Sequence, residues 1–243
     1  MATILITGAA SGIGLAFLRH YSTSSHNHQI IAVDRESIPS LPSEPTGSQI
    51  IRHQVDLTSE SSITALASQL NGTPIAILIH SAGIRGLVPS VEASHPNDVA
   101  ACETLAVMDK PTLMRTFEIN TVGTFLLVQA LLPSLLLSSS PKVVIMASRM
   151  GSLAANTAGS AYAYRASKAA LNAVVKSFSI DVPEVVFTLV HPGRVESGLV
   201  KCREEGAIEA GESVDEMLHN VIGRLDKEWS GRYVDRWGKA IPW

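Results

Sequence analysis

The chain has 243 residues, 46% of them hydrophobic and 17% charged, with a formal net charge of −3. This length and apolar content predict one well-buried domain over residues 1–243 and exclude extensive disorder. The slight acidity, with Lys and Arg scattered along the chain, excludes the basic footprint of a nucleic-acid binder.

In chain order, the apolar run TILIT (3–7) predicts a first strand, followed by a helix from Ser11 to about Tyr21. QIIAVD (29–34) predicts the second strand. Residues 37–49, SIPSLPSEPTGSQ, are rich in Pro and Ser and read as a surface loop. IIRHQVD (50–56) predicts a third strand, and SESSITALASQL a helix capped by Ser59. IAILIHSAG (75–83) is a continuous apolar run closed by small residues. The connection over 85–111 is unusually long, a property of functional or mobile loops. A long helix is predicted over PTLMRTFEINTVGTFLLVQALLPSLLL, then a strand at KVVIMAS (142–148), a helix containing YRASK (164–168), and a strand in VVFTLVHPG (185–193).

About six strands thus alternate with helices or small-residue loops. Strands apolar on both faces imply burial on both sides, so the expected fold is α/β: a single-domain doubly wound, Rossmann-type parallel sheet with helices on both faces. Cys102 and Cys202 have no CxxC partner, which predicts a reducing compartment and neither a disulfide nor a metal framework. The first residues already read as strand, and TFLLVQALLPSLLL is interrupted by Gln129 and Pro133. A soluble cytoplasmic protein with no membrane span is the expectation.

TGAASGIG (7–14) lies between the first strand and the first helix, where a pyrophosphate would meet the free N–H groups and dipole of the helix. Gly8, Gly12 and Gly14 allow the turn, the close approach and the helix packing, with Ser11 and Ile13 between them. Asp34, at the end of the second strand, suits the hydroxyls of an adenosine ribose and favours NAD(H). Arg35 beside it would suit a 2′-phosphate and keeps NADP(H) open. Asp56 and Leu57 either flank an adenine or cap the next helix. Ser81, Ala82 and Gly83 suit backbone lying against a cofactor, and His80 reads as structural.

Together with YRASK, these residues make the chain resemble the short-chain dehydrogenase/reductase family over nearly its whole length. TGAASGIG matches the cofactor loop, and HSAG stands where Asn-Asn-Ala-Gly is usual. FEIN supplies Asn120, MASRMGS supplies Ser148, YRASK supplies Tyr164 and Lys168, and HPGRVES resembles the Pro-Gly loop. SRMGSLAANTAGSAYAYRASKAALN and GRYVDRWGKAIPW resemble the small carbonyl-reductase-like branch that includes the sniffer-type enzymes. The departures are His80 and Ser81 for the two asparagines, Ser197 for a threonine, and the length of 85–111.

The resemblance implies hydride transfer between a nicotinamide cofactor and a carbonyl or alcohol. Tyr164 would be the acid–base group and Ser148 the holder of the carbonyl oxygen. At an ordinary pKa near ~10, only about one phenol in a thousand is ionised at pH 7. Lys168, four residues on and so on the same helix face, is expected to lower that pKa and to reach the nicotinamide ribose. Tyr162 has only Ala166 at that spacing. Asn120 either holds a water in a proton path through Lys168 or bonds to a neighbouring turn. Pro192 and Gly193 would turn the chain beside the nicotinamide, with the Val195 backbone, and more weakly Ser197, meeting the carboxamide. Segment 194–220 reads as a substrate lid or a solvated helix pair. The long helix and the YRASK helix imply a homodimer or homotetramer. The alternatives are an NADPH-dependent biosynthetic or detoxifying ketone reductase and a catalytically silent nucleotide sensor.

Overall fold

The computed structural model describes residues 2–41 and 48–243. The middle of the expected loop at 37–49 lies outside the described residues. The first half of the chain gives β1 (Thr3–Thr7), α1 (Gly12–Thr23), β2 (Gln29–Asp34), β3 (Gln49–Gln54), α2 (Glu60–Gln69), β4 (Ile77–His80), α3 (Pro89–Ser94) and α4 (Lys110–Phe117). The second half gives α5 (Gly123–Leu136), β5 (Lys142–Met146), α6 (Tyr162–Asp181), β6 (Val186–His191), β7 (Val195–Glu196), β8 (Ile208–Glu209), α7 (Ala210–Asn220) and β9 (Arg232–Asp235).

Seven strands pair in the order β3-β2-β1-β4-β5-β6-β9, every pair parallel. Alternate residues of each strand feed opposite layers. Leu5, Ile31, Leu78, Val143 and Phe187 pack with α2, α5 and α6. Ile4, Ile6, Ile30, Val144 and Val190 pack with α1 and α7. The expected doubly wound sheet is present, with one strand more than the sequence pattern revealed. RYVD is short and half polar, and it becomes β9 because β6 offers it a parallel edge.

Ser59 caps α2 as expected, its hydroxyl accepting the Ser62 N–H at 3.2 Å. The expected long helix is present over Lys110–Leu136. α4 runs through a π-turn at Glu118–Val122 into α5, and Pro133 does not stop it. The resulting 27-residue run, mean hydropathy 1.6, is long and apolar enough to cross a membrane by length and composition. Its inward residues Leu127, Val128, Leu131 and Leu135 are core, however, so it serves as a core helix.

Segment 85–111 is not structureless. It carries α3 and a 3₁₀ turn at Ala101–Glu103 that buries Cys102. Segment 194–220 pairs β7 with β8 and then forms α7, whose Val214 and Met217 are core, so α7 is not a solvated helix.

Candidate active site

The carboxyl ends of β1 to β6 open on one side of the sheet into a cleft of about 670 Å³. This is where ligands bind in open α/β sheets, and the volume suits a cofactor. Of the residues expected at a cofactor site, Gly8, Ser11, Ile13, Asp34, Arg35, Asp56, Leu57, Ser81, Ala82, Gly83, Tyr164, Lys168, Pro192, Gly193, Val195 and Ser197 line it, as does Ser148. Gly12, Gly14 and Asn120 stand behind the wall.

The glycine loop is tight because Gly8, Gly12 and Gly14 have no room for a side chain. Gly12 has φ +51°, and a Cβ there would lie 2.9 Å from the Ser197 Cβ and press on the Ser197 carbonyl. Ser197 therefore closes over the glycine loop. A Cβ on Gly14 would fall onto the Gly8 carbonyl, seating α1 against the turn that begins it. Both observations fit a backbone cradle for a pyrophosphate, as does the Ser11–Gly14 end of α1 facing the cleft.

At the end of β2, each Asp34 oxygen already accepts a backbone N–H at 2.9 Å, from Ala10 and from Glu36. Arg35 pairs with Glu36 at 3.0 Å, both side chains being more than half exposed. Asp56 does not cap α2. Its carboxylate accepts from the Thr58 N–H and hydroxyl, which holds its pKa below the usual range.

His80 ties three elements together. Thr7 Oγ1 accepts the N–H groups of Ser81 and Ala82, so its own hydrogen is free for His80 Nδ1 at 2.9 Å. The other ring nitrogen then donates to Thr124 Oγ1 at 2.8 Å, and Thr124 donates to the Asn120 carbonyl. This network fixes the neutral tautomer. Burial, and secondly the Lys168 charge, push the His80 pKa down to about 3. Burial likewise pushes His191 down to about 4. The unfolded chain therefore binds more protons than the folded one between those values and 6.5, and stability falls as pH drops through that window. His80→Gln is expected to flatten urea-derived stability between pH 6 and pH 4 by up to about 1.4 kcal/mol per pH unit, one proton's worth. An unchanged slope would show that His80 protonates without opposing the fold.

Asn120 sits in the π-turn and is 1% exposed. Its amide clasps the strand-end backbone, Nδ2 donating to the Ile84 carbonyl at 2.9 Å and Oδ1 accepting the Ile84 N–H at 2.8 Å. The second Nδ2 hydrogen goes to Ser167 Oγ at 3.0 Å. Of the two expectations for Asn120, the side chain fulfils the bond to a neighbouring element. A water relay would have to use its backbone carbonyl.

Ser148 ends the β5 arm, its Oγ accepting the Met150 N–H at 3.2 Å, and shares the cleft wall with Tyr164. Its backbone carbonyl accepts the Tyr233 hydroxyl from β9. Tyr164 and Lys168 lie on one face of α6, 7% and 5% exposed, with Lys168 Nζ 5.7 Å from the phenol ring centroid. Lys168 donates to the Met146 carbonyl at 2.9 Å, and burial lowers its pKa to about 8.

Burial raises the Tyr164 phenol's pKa above its ordinary value. The charge that opposes this is Arg85, with its guanidinium carbon 5.0 Å from the ring centroid, and Ser148 acts in the same direction. Arg85, Met150, Arg165, Leu199 and Glu204, all on the cleft wall, were not foreseen. Arg85, Met150, Leu199 and Glu204 lie in segments with no periodic signal, where the length of 85–111 and the lid reading of 194–220 pointed to three of them, whereas Arg165 lies on α6 within the YRASK motif.

The short chain dehydrogenase profile matches residues 2–207, and the chain belongs to that family. It is an NAD(P)-dependent oxidoreductase of that family. It is 31% identical over 249 residues to 1-hydroxy-2-glutathionyl-2-methyl-3-butene dehydrogenase of Rhodococcus sp. (strain AD45), covering 100% of both chains. It is 40% identical over 181 residues to C-signal of Myxococcus xanthus, covering 74% of this chain and 99% of that protein. Among solved structures, NADPH-bound carbonyl reductase from chicken fatty liver superposes with a TM-score of 0.84 at 26% identity, covering 100% of this chain and 99% of that one. Carbonyl reductase Sniffer of D. melanogaster superposes with a TM-score of 0.81 at 24% identity over 100% of both chains, a likeness of fold to the branch named from the sequence.

Proposed function

We propose that this protein transfers a hydride between a nicotinamide cofactor and the carbonyl or alcohol carbon of a small molecule, with Tyr164 handling the proton. The observation that carries this reading is the buried Tyr164 on the cleft wall, with Ser148 on the same wall and Lys168 one helical turn away. The cofactor, when bound, supplies or accepts the hydride. Ser148 Oγ holds the substrate oxygen, and the Tyr164 hydroxyl gives it a proton in reduction and takes one back in oxidation. Lys168, with a pKa near 8, exchanges protons close to neutrality and restores the charge state of the site. The glycine loop holds the pyrophosphate, and the 192–197 turn with Val195 faces the nicotinamide end.

The NAD(H) preference that Asp34 implied is not supported by the relatives: the 26%-identical carbonyl reductase holds NADPH. Both Asp34 oxygens are also engaged by backbone, so its claim on a ribose is shared. The Arg35–Glu36 pair is exposed and weakly held, which leaves the guanidinium free to turn to a 2′-phosphate. NADP(H) is therefore accepted through Arg35. Arg35→Ala is expected to weaken NADPH binding about tenfold, about the worth of one charge-assisted hydrogen bond, and NADH binding less than about twofold. Equal losses in fluorescence titrations would remove Arg35 from cofactor choice.

Residues 1–243 act as one catalytic unit with no membrane insertion, and 194–207 forms part of the substrate wall through Leu199, Val200 and Glu204. Exposed Met114, Phe117 and Phe125 along the α4–α5 run support pairing of two copies.

The test is transfer of deuterium from 4-labelled NADH and NADPH, on each face, to a pooled carbonyl library, read by mass spectrometry. Label appearing in an alcohol product supports the reading. Cofactor binding without label transfer from either face would favour a second reading, a nucleotide-binding signalling protein, for which the likeness to C-signal speaks.

A further inference from the structure

Arg85 and Glu103 form an ion pair that neither the resemblance nor the cleft requires. Arg85 Nε and Nη2 each meet a Glu103 carboxylate oxygen at 2.9 Å, a two-point contact with side chains only 12% and 9% exposed. Burying such a pair is a poor way to gain stability, because desolvation offsets the attraction. The neighbours of the pair suggest another purpose. The guanidinium lies over the Tyr164 ring, and its remaining arm, Nη1, reaches Met150 Sδ at 3.2 Å.

The Glu103 backbone carbonyl accepts from Ser160 Oγ at 2.9 Å and the Ala161 N–H at 3.0 Å. Those two residues have φ of 56° and 50°, the left-handed turn from which α6 starts. Gly86, at φ +77°, turns the chain directly after Arg85, where a Cβ would lie 3.1 Å from the Ala163 Cβ and press on Thr116. One residue, Glu103, thus holds the start of the Tyr164 helix with its backbone and the cation over the Tyr164 ring with its side chain.

We propose that the Arg85–Glu103 pair is the positioning device of the Tyr164 phenol, its guanidinium fixing the ring and favouring the phenolate. The long 85–111 connection is then the frame of the acid–base group. This rests on the reading of Tyr164 as that group. The other charged or titratable groups bearing on the phenol are Lys168 on α6, Glu204 on the 194–207 segment and Tyr233 on β9. Glu103 and Glu204 oppose the phenolate and Arg85 favours it.

The experiment places a trifluorinated tyrosine at residue 164, whose more acidic phenol titrates while the protein stays folded, and follows it by fluorine NMR. Three backgrounds are compared: the natural chain, Arg85→Met with Glu103→Leu, and Glu103→Gln alone. The double change removes both charges and leaves no unpaired buried ion. The midpoint is expected to rise by about 1 unit or more in the double variant and to fall in Glu103→Gln. A merely structural role would not move the two midpoints in opposite directions. If the double variant does not fold, Glu103→Gln decides alone: a fall upholds the proposal, and no change or a rise overturns it. If it folds, an unchanged midpoint in the double variant overturns it. The titration needs neither substrate nor turnover, so failure of this inference is distinguishable from failure of the oxidoreductase reading.

Discussion

Tyr164→Phe is expected to lower turnover about 10³-fold while cofactor affinity stays within about twofold, because general acid–base groups contribute about 10² to 10⁴. The substitution removes one oxygen and keeps the ring. That ring is almost fully buried, with Arg85 over it and Lys168 beside it, and these packing contacts survive in Phe. Ser148 Oγ keeps its bond from the Met150 N–H, so the loop after β5 also stays in place. What is lost is the hydroxyl proposed to give or take the proton. Fluorescence titration with NAD(P)H and turnover on the substrate found by deuterium transfer would measure the two effects separately. Turnover within tenfold of the natural chain would move the proton to another group and overturn the role given to Tyr164.

The second large effect is expected at Gly14. Even one methyl group there overlaps the Gly8 carbonyl, lying 2.5 Å from the Gly8 carbonyl carbon and 2.9 Å from the Thr7 oxygen. These neighbours are backbone and cannot rotate aside. To accept alanine, α1 must lift from the turn that starts it, spoiling both its packing on the sheet and the N–H cradle facing the cleft. Overpacking of this kind costs about 1–3 kcal/mol, or a melting temperature lower by roughly 2–10 °C in a chain of this size. Cofactor affinity should fall at least about tenfold in the same variant, since the displaced N–H groups are the ones proposed to hold the pyrophosphate. Calorimetry and cofactor titration on Gly14→Ala would check both. Unchanged affinity would mean that the loop adapts and that the glycine serves helix packing alone.

The buried strands were legible in the sequence because burial on two faces leaves runs such as TILIT and QIIAVD with no polar alternation. The glycine loop was legible for a related reason: its spacing answers to backbone geometry, which sequence displays directly. β9 was not legible, since RYVD is a strand only by virtue of the edge it joins. Neither was the balance of charge at Tyr164. A spacing of four shows that Lys168 shares a face with the phenol, but not that both are desolvated, nor that Arg85, 79 positions upstream, lies over the ring. Asn120 shows the same limit. An unfavourable residue within a helix signalled something particular, yet only the fold reveals that its amide clasps Ile84. The length of the 85–111 connection was visible, whereas its use as a frame depends on the Arg85–Glu103 contact.

The bond from the Tyr233 hydroxyl to the Ser148 carbonyl joins β9 to the end of β5 across 85 residues of chain. A parallel strand cannot pair until the crossover leading to it has closed, and such distant closures come late and slowly in folding. Among the described strands β9 pairs with β6, which must itself already lie beside β5. The glycine loop, by contrast, takes its turn from the first strand and helix and is held by Asp34 of the neighbouring β2, with Ser197 closing over it from the far end of the chain. The two ends of the cleft are therefore expected to mature at different times: the glycine loop starts from the earliest part of the chain, and Ser148 is anchored by the last strand in the sequence.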